Sequence, residues 1–145
     1  MSTEDEIRKA SDMFYLALNR TVNGDPRSMD DIWQHKSEIS TMHPIGGRQV
    51  GWDEVRESWE NIAKMSSQGQ VKLSDQRICA GSDFSYELGT EHVHLWLAGN
   101  EIHENYRVTN IYRREGSEWK IVHHHVDLNV TMSEILSKLE ASQER

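Results

Sequence analysis

Apolar positions at Ile7, Ala10, Phe14, Ala17, Leu18 and Thr21 fall on one side of a 3.6-residue repeat and predict a helix over residues 4–22. Asn23-Gly24 ends it, because glycine accepts the left-handed cap conformation. Asp25-Pro26 then opens a second, short helix through residues 27–34, with Trp33 on its inner side. Residues 37–45 alternate and are β-branched, so they predict a strand, and Gly46-Gly47-Arg48 is expected to turn the chain. Trp52, Val55, Trp59, Ile62 and Ala63 mark a third helix within residues 51–65.

From residue 70 the period changes from helix to strand. Four runs, about 70–79, 84–97, 102–114 and 118–128, are separated by the turn-formers Gly-Ser-Asp, Ala-Gly-Asn and Glu-Gly-Ser. Residues 131–145 predict a last helix with Thr131 or Ser133 as cap and Ile135, Leu136 and Leu139 as its apolar face. Three helices followed by an antiparallel meander describe an α+β fold, a curved sheet with helices packed on one face. At 145 residues the chain is expected to be one domain over 1–145, with a core large enough to need no disulfide.

Composition narrows the function. With 24 acidic and 16 basic residues the formal charge is -8, which repels polyanions and argues against a nucleic-acid partner. The basic cluster Arg113, Arg114 and Lys120 surrounds a turn that also holds Glu115 and Glu118, the pattern of a solvated hairpin. Cys79 is the single cysteine, so no internal disulfide or cysteine-based zinc site forms. The polar, acidic start and the absence of a long apolar stretch lead to the expectation of a cytoplasmic protein with no membrane partner.

Three short runs carry a resemblance that spans roughly residues 5–128. They are Asn-Gly-Asp-Pro at 23–26, Pro-Ile-Gly-Gly-Arg at 44–48 leading into Gly-Trp-Asp-Glu-Val-Arg-Glu-Ser-Trp at 51–59, and the closing hairpin from Arg107 to His125. In this order they resemble the family of nuclear transport factor 2, ketosteroid isomerase and SnoaL-type polyketide cyclases. The hairpin also looks like the association domain of calcium/calmodulin-dependent kinases. The resemblance implies a cone in which a bent sheet wraps three N-terminal helices around a deep apolar pocket. It further implies a cofactor-independent isomerase or lyase that moves a proton next to a carbonyl, or eliminates, on a small apolar or aromatic molecule.

Ketosteroid isomerase uses an Asp base, a Tyr and a protonated Asp. By position before Pro44-Ile45-Gly46, His43 stands where the base would be, and Asn110, in Val108-Thr109-Asn110-Ile111, stands where the oxyanion Asp would be. Ala17 stands where the Tyr would be, and Tyr15, two residues along the helix, is turned away from it by about 200°.

The triplet His123-His124-His125 splits between two sheet faces, because successive strand residues point to opposite sides. A three-residue turn at Glu115-Gly116-Ser117 would pair Asn110 with Val122 and Val108 with His124, sending these four to one face. His123 and His125 then join His92 and His94 on the other. The inward set is His43, Asn110 and His124 as catalytic candidates, with Trp33, Trp59, Tyr106 and Val126 as apolar wall for a small-molecule ligand. His43 would be the base, Asn110 would steady negative charge, and His124 would orient His43 or act as acid.

The outward histidines are ligand types that zinc, nickel or copper favour. Without identifiable supporting carboxylates, the same face with Trp96 and Arg107 reads instead as the contact of a homodimer. No metal and no cofactor is therefore expected. A non-catalytic binding or assembly module and a His-ligated metal protein remain the alternative functions.

Overall fold

The computed structural model describes residues 1–143. Helix α1 runs Thr3–Thr21 and starts with a capping box: Ser2 Oγ accepts from the Asp5 amide and the Asp5 carboxylate accepts from the Ser2 amide. Helix α2 is only Met29–Ile32, and α3 spans Trp52–Met65. The strands are β1 (Ser40–His43), β2 (Gly46–Val50), β3 (Ser66–Cys79), β4 (Phe84–Leu97), β5 (Asn100–Glu115) and β6 (Glu118–Val126). Helix α4 is Val130–Gln143, and residues 144 and 145 of the predicted last helix lie outside the described residues.

The strands form one curved, unclosed sheet in the order β2-β1-β6-β5-β4-β3. All neighbours are antiparallel except β1 and β6, so the fold is α+β as expected. Phe14, Trp33, Trp59, Val55 and Ile121 are buried between the sheet's concave face and the helices. Burying each such large side chain contributes about 1.5–3 kcal/mol.

Several local expectations are corrected. Gly46-Gly47-Arg48 belongs to β2 instead of forming the turn, which lies at Pro44-Ile45; φ values of +113° and +81° at Gly46 and Gly47 let the chain reverse and extend at once. The next strand starts at Ser66, directly after α3. Asn129, not Thr131 or Ser133, caps α4, its Oδ1 accepting from the Met132 amide at 2.8 Å.

The β5–β6 hairpin also differs. It closes over the two residues Gly116 and Ser117, with Glu115 opposite Glu118, and a bulge lies between Ile111 and Tyr112. Beyond the bulge Asn110 faces His124 and Val108 faces Val126, so the expected pairing of Asn110 with Val122 is two residues out. The faces are nonetheless as expected, because a slip of two preserves the alternation. Asn110 and His124 point inward and are buried; His125, His92 and His94 are exposed on the convex face, where His123 is half-buried.

Candidate functional site

A cavity of about 60 Å³ lies between the concave sheet face, α1 and α3, and Met132 of α4 closes one side of it. Leu18, Val22, Ile62, Val93 and Leu95 make the wall apolar, and the polar groups that reach it include His43, His124 and Glu91. The volume is below the roughly 300–1,000 Å³ of common ligand pockets, so only a small molecule fits this shape.

His43 ends β1, and its ring packs edge-on against Trp59 with centroids 4.5 Å apart. Its Nε2 lies 2.9 Å from Ser58 Oγ, while the Ser58 hydroxyl donates to the Val55 carbonyl at 2.6 Å. A hydroxyl has one proton, so Ser58 must accept from His43 Nε2–H, and the Nδ1 of neutral His43 is left with its lone pair. Burial lowers the His43 pKa to about 3, which keeps the ring neutral at physiological pH.

His124 lies 6.1 Å from His43 between ring centroids and also touches Phe14 and Trp59. Burial first, and then the His43 charge, holds its pKa well below the usual histidine value. Its Nδ1 is 2.6 Å from Asn110 Oδ1, and the Asn110 amide donates to the Tyr15 hydroxyl and to Glu87, each at 3.1 Å. Glu87 further accepts from Tyr112 at 2.5 Å and from Gln76 at 2.8 Å. Tyr15 donates to Glu91 at 2.8 Å. Burial raises the Glu91 pKa to about 7, opposed in part by that hydrogen bond.

The structure therefore brings His43, His124 and Trp59 to one cavity. Asn110 stands behind His124 and addresses the imidazole, away from the cavity. Trp33 packs against Trp59 at 6.3 Å, while Tyr106 and Val126 are core residues; the Tyr106 hydroxyl accepts from Asn129. Sequence reasoning missed Glu91, Glu87, Tyr112 and the inward reach of Tyr15. Tyr15 is correctly placed off Ala17, yet α1 buries a stripe wide enough to contain both, and the tyrosine's length carries its hydroxyl to Asn110.

On the convex face His92 bonds Ser74 and Asn105, and His94 pairs with Glu101 and stacks on His103. Among the described residues no group of three His, Cys, Asp or Glu side chains is arranged to hold a metal ion. No helix of the described residues is long and apolar enough to cross a membrane.

A model of the SnoaL-like domain matches residues 7–128. A protein of the nuclear transport factor 2-like family from Streptomyces avermitilis, described as a candidate dehydratase, is 23% identical, with a TM-score of 0.77 over 88% of this chain and 96% of its own. A nuclear transport factor 2-like protein from Salmonella enterica is 19% identical at TM-score 0.77, covering 88% and 92%. A candidate calcium/calmodulin-dependent kinase type II association domain from Thiobacillus denitrificans is 22% identical at TM-score 0.64, covering 83% and 92%. At these identities the likeness is one of fold. Among curated protein sequences none matches the chain.

Proposed function

The chain belongs to the SnoaL-like domain family, and from that premise we propose that it is a cofactor-independent lyase eliminating water from a small, mostly apolar 3-hydroxy carbonyl compound. The observation that carries this reading is the pairing, in one apolar cavity, of an imidazole with a free lone pair and a carboxyl group whose pKa is raised to about 7. One can take a proton and the other can give one at neutral pH.

His43 Nδ1 removes the proton from the carbon next to the carbonyl, and its electron pair becomes the new C=C bond. The C–O bond on the adjacent carbon breaks, and the leaving hydroxyl departs as water with the Glu91 proton. The proton on His43 then returns to Glu91 through that water. His43 and Glu91 each resist a lone charge in this apolar site, but the step creates imidazolium and carboxylate together, so each charge offsets the other. The likeness to a Streptomyces protein described as a candidate dehydratase supports elimination over isomerisation. The fold hosts many chemistries, so the weight rests on these side chains.

The test offers small 3-hydroxy ketones to the protein and follows loss of water by mass spectrometry. His43→Ala should slow the reaction about 100-fold or more, whereas His125→Ala, on the convex face, should leave it unchanged. A folded His43→Ala protein as fast as the parent would mean that His43 is not the base.

We further propose that a second copy of the chain covers the convex face. Phe84, Tyr86 and Leu88 are 51%, 43% and 40% exposed there. Lys72, Arg77, Arg107 and Arg113 share that face with the histidines and offset there the repulsion expected from a net charge of -8. Sedimentation should show a dimer at micromolar concentration, and His123→Glu should weaken it more than Lys138→Glu. A monomer at high micromolar concentration would rule the contact out.

A further inference from the structure

We infer that Glu87, Asn110 and His124 form a three-strand row that fixes His124 in its Nδ1–H tautomer and so directs a hydrogen-bond acceptor, Nε2, at the substrate's leaving hydroxyl. The inference builds on the elimination reading of the cavity. The three residues are direct cross-strand partners: Glu87 faces Asn110 between β4 and β5, and Asn110 faces His124 between β5 and β6. Inward-pointing residues in register touch side by side, so the row is a product of strand pairing itself.

The tautomer follows from counting protons. Asn110 Nδ2 has two acceptors in reach, Glu87 Oε2 and the Tyr15 hydroxyl oxygen, whose own proton goes to Glu91. Glu87 takes two further donors, from Tyr112 and Gln76, which is the acceptor set of a carboxylate. Both constraints turn the NH2 of Asn110 toward Glu87 and its Oδ1 toward His124. An acceptor 2.6 Å from His124 Nδ1 requires a proton there. Neutral imidazole carries a single N–H, so Nε2 is bare.

Glu87 and Asn110 are completely buried and do not line the cavity, so they are positioning residues that act through His124, which does line it. Tyr15, Tyr112, Glu91 and His43 are the other titratable groups that face the row, and His123 and His125 flank His124 on its strand. The substrate class becomes narrower as a result. A leaving group carrying an O–H can donate to His124 while its oxygen takes the Glu91 proton; an ether oxygen at the same place cannot donate.

Long-range proton–nitrogen NMR on the 15N-labelled protein, with no ligand, reads both ring nitrogens of His124. The parent should show a protonated Nδ1 and a bare Nε2. Glu87→Gln keeps the shape but can offer its own NH2 to Asn110, so the amide can turn and the Nε2–H tautomer should appear in at least about a tenth of molecules. Tyr112→Phe, which leaves Asn110's acceptors in place, should not change the tautomer. Should Glu87→Gln fail to fold, Asn110→Leu serves the same purpose, because it removes the acceptor that holds Nδ1–H.

A parent spectrum with Nε2–H, or a folded Glu87→Gln protein with the parent's tautomer, would overturn the inference. With a 3-hydroxy ketone that is turned over, the parent should prefer it about 100-fold or more over the 3-methoxy analogue, and Glu87→Gln should narrow the gap. Equal rates for the two would refute the grip on the hydroxyl. The tautomer is read without substrate, so it can fail while the His43→Ala result stands, and the reverse.

Discussion

Glu91→Gln should reduce turnover by about 100-fold or more and abolish the alkaline limb of the pH profile. The carboxyl must be protonated to give its proton to the leaving hydroxyl, and its pKa is raised to about 7. Activity of the parent should therefore fall about tenfold per unit above pH 7, while the residual activity of the variant stays level. Stability changes with the same group. Its folded pKa of about 7 lies above the ordinary value of 4.5, so between these limits the folded state holds a proton that the unfolded chain has released. The Glu91 contribution to stability then falls as pH rises through this window, by about 3 kcal/mol in order of magnitude. Urea midpoints of the parent should drop between pH 6.5 and pH 7.5, above the range in which the buried imidazoles oppose Glu91, and those of Glu91→Gln should not. A variant whose rate and pH profile match the parent's would remove Glu91 from the mechanism.

Why the sequence revealed half of this site is visible in its strands. The alternation of β5 and β6 placed Asn110 and His124 inward although the hairpin closes over two residues and not three. That error alone would have exchanged the faces and sent His123 inside. The bulge at Val122 adds a second shift of one, and the two cancel in parity. Bulges depend on packing and leave little trace in a single sequence, so the agreement rests on compensating errors.

Glu87 and Glu91 were legible by the same rule, since they continue the inward series of Val93, Leu95 and Leu97. Charge masked them: an acidic residue in a strand is ordinarily solvated, and only the donors of Tyr15, Tyr112, Gln76 and Asn110, drawn from three other elements, make its burial tolerable. A Cβ on Gly89 between them would come within 2.5 Å of Leu73 Cδ1 and 3.1 Å of the Ser74 carbonyl oxygen. The family resemblance pointed to His43 by position, while its tautomer depends on Ser58, fifteen residues away on α3.

Acid should unfold the protein steeply below about pH 4.5 and only gently above it. His43, with a folded pKa of about 3 against the ordinary 6.5, stays neutral while the unfolded chain gains a proton below pH 6.5. Its contribution to stability is complete above that value and is lost as pH falls toward 3. His124 behaves in the same way, since burial holds its pKa well below the ordinary value. Glu91 works against them between pH 7 and 4.5, where the folded state gains stability by keeping its proton. From pH 6.5 to 4.5 the unfolded chain thus binds a net one proton more, and stability declines by about 1.4 kcal/mol per unit. Below 4.5 the compensation from Glu91 ends, the two imidazoles act together, and the slope roughly doubles. A domain stable by about 5–15 kcal/mol cannot sustain that over many units. His43→Gln, whose amide can still donate to Ser58, removes one imidazole, so the remaining one balances Glu91 and the upper segment should become nearly flat. Urea midpoints at half-unit steps from pH 3.5 to 7 measure both slopes. A parent whose stability is level from pH 6.5 to 3.5 would mean that His43 and His124 take up protons in the folded state, and that the cavity is far more accessible to water than their burial implies.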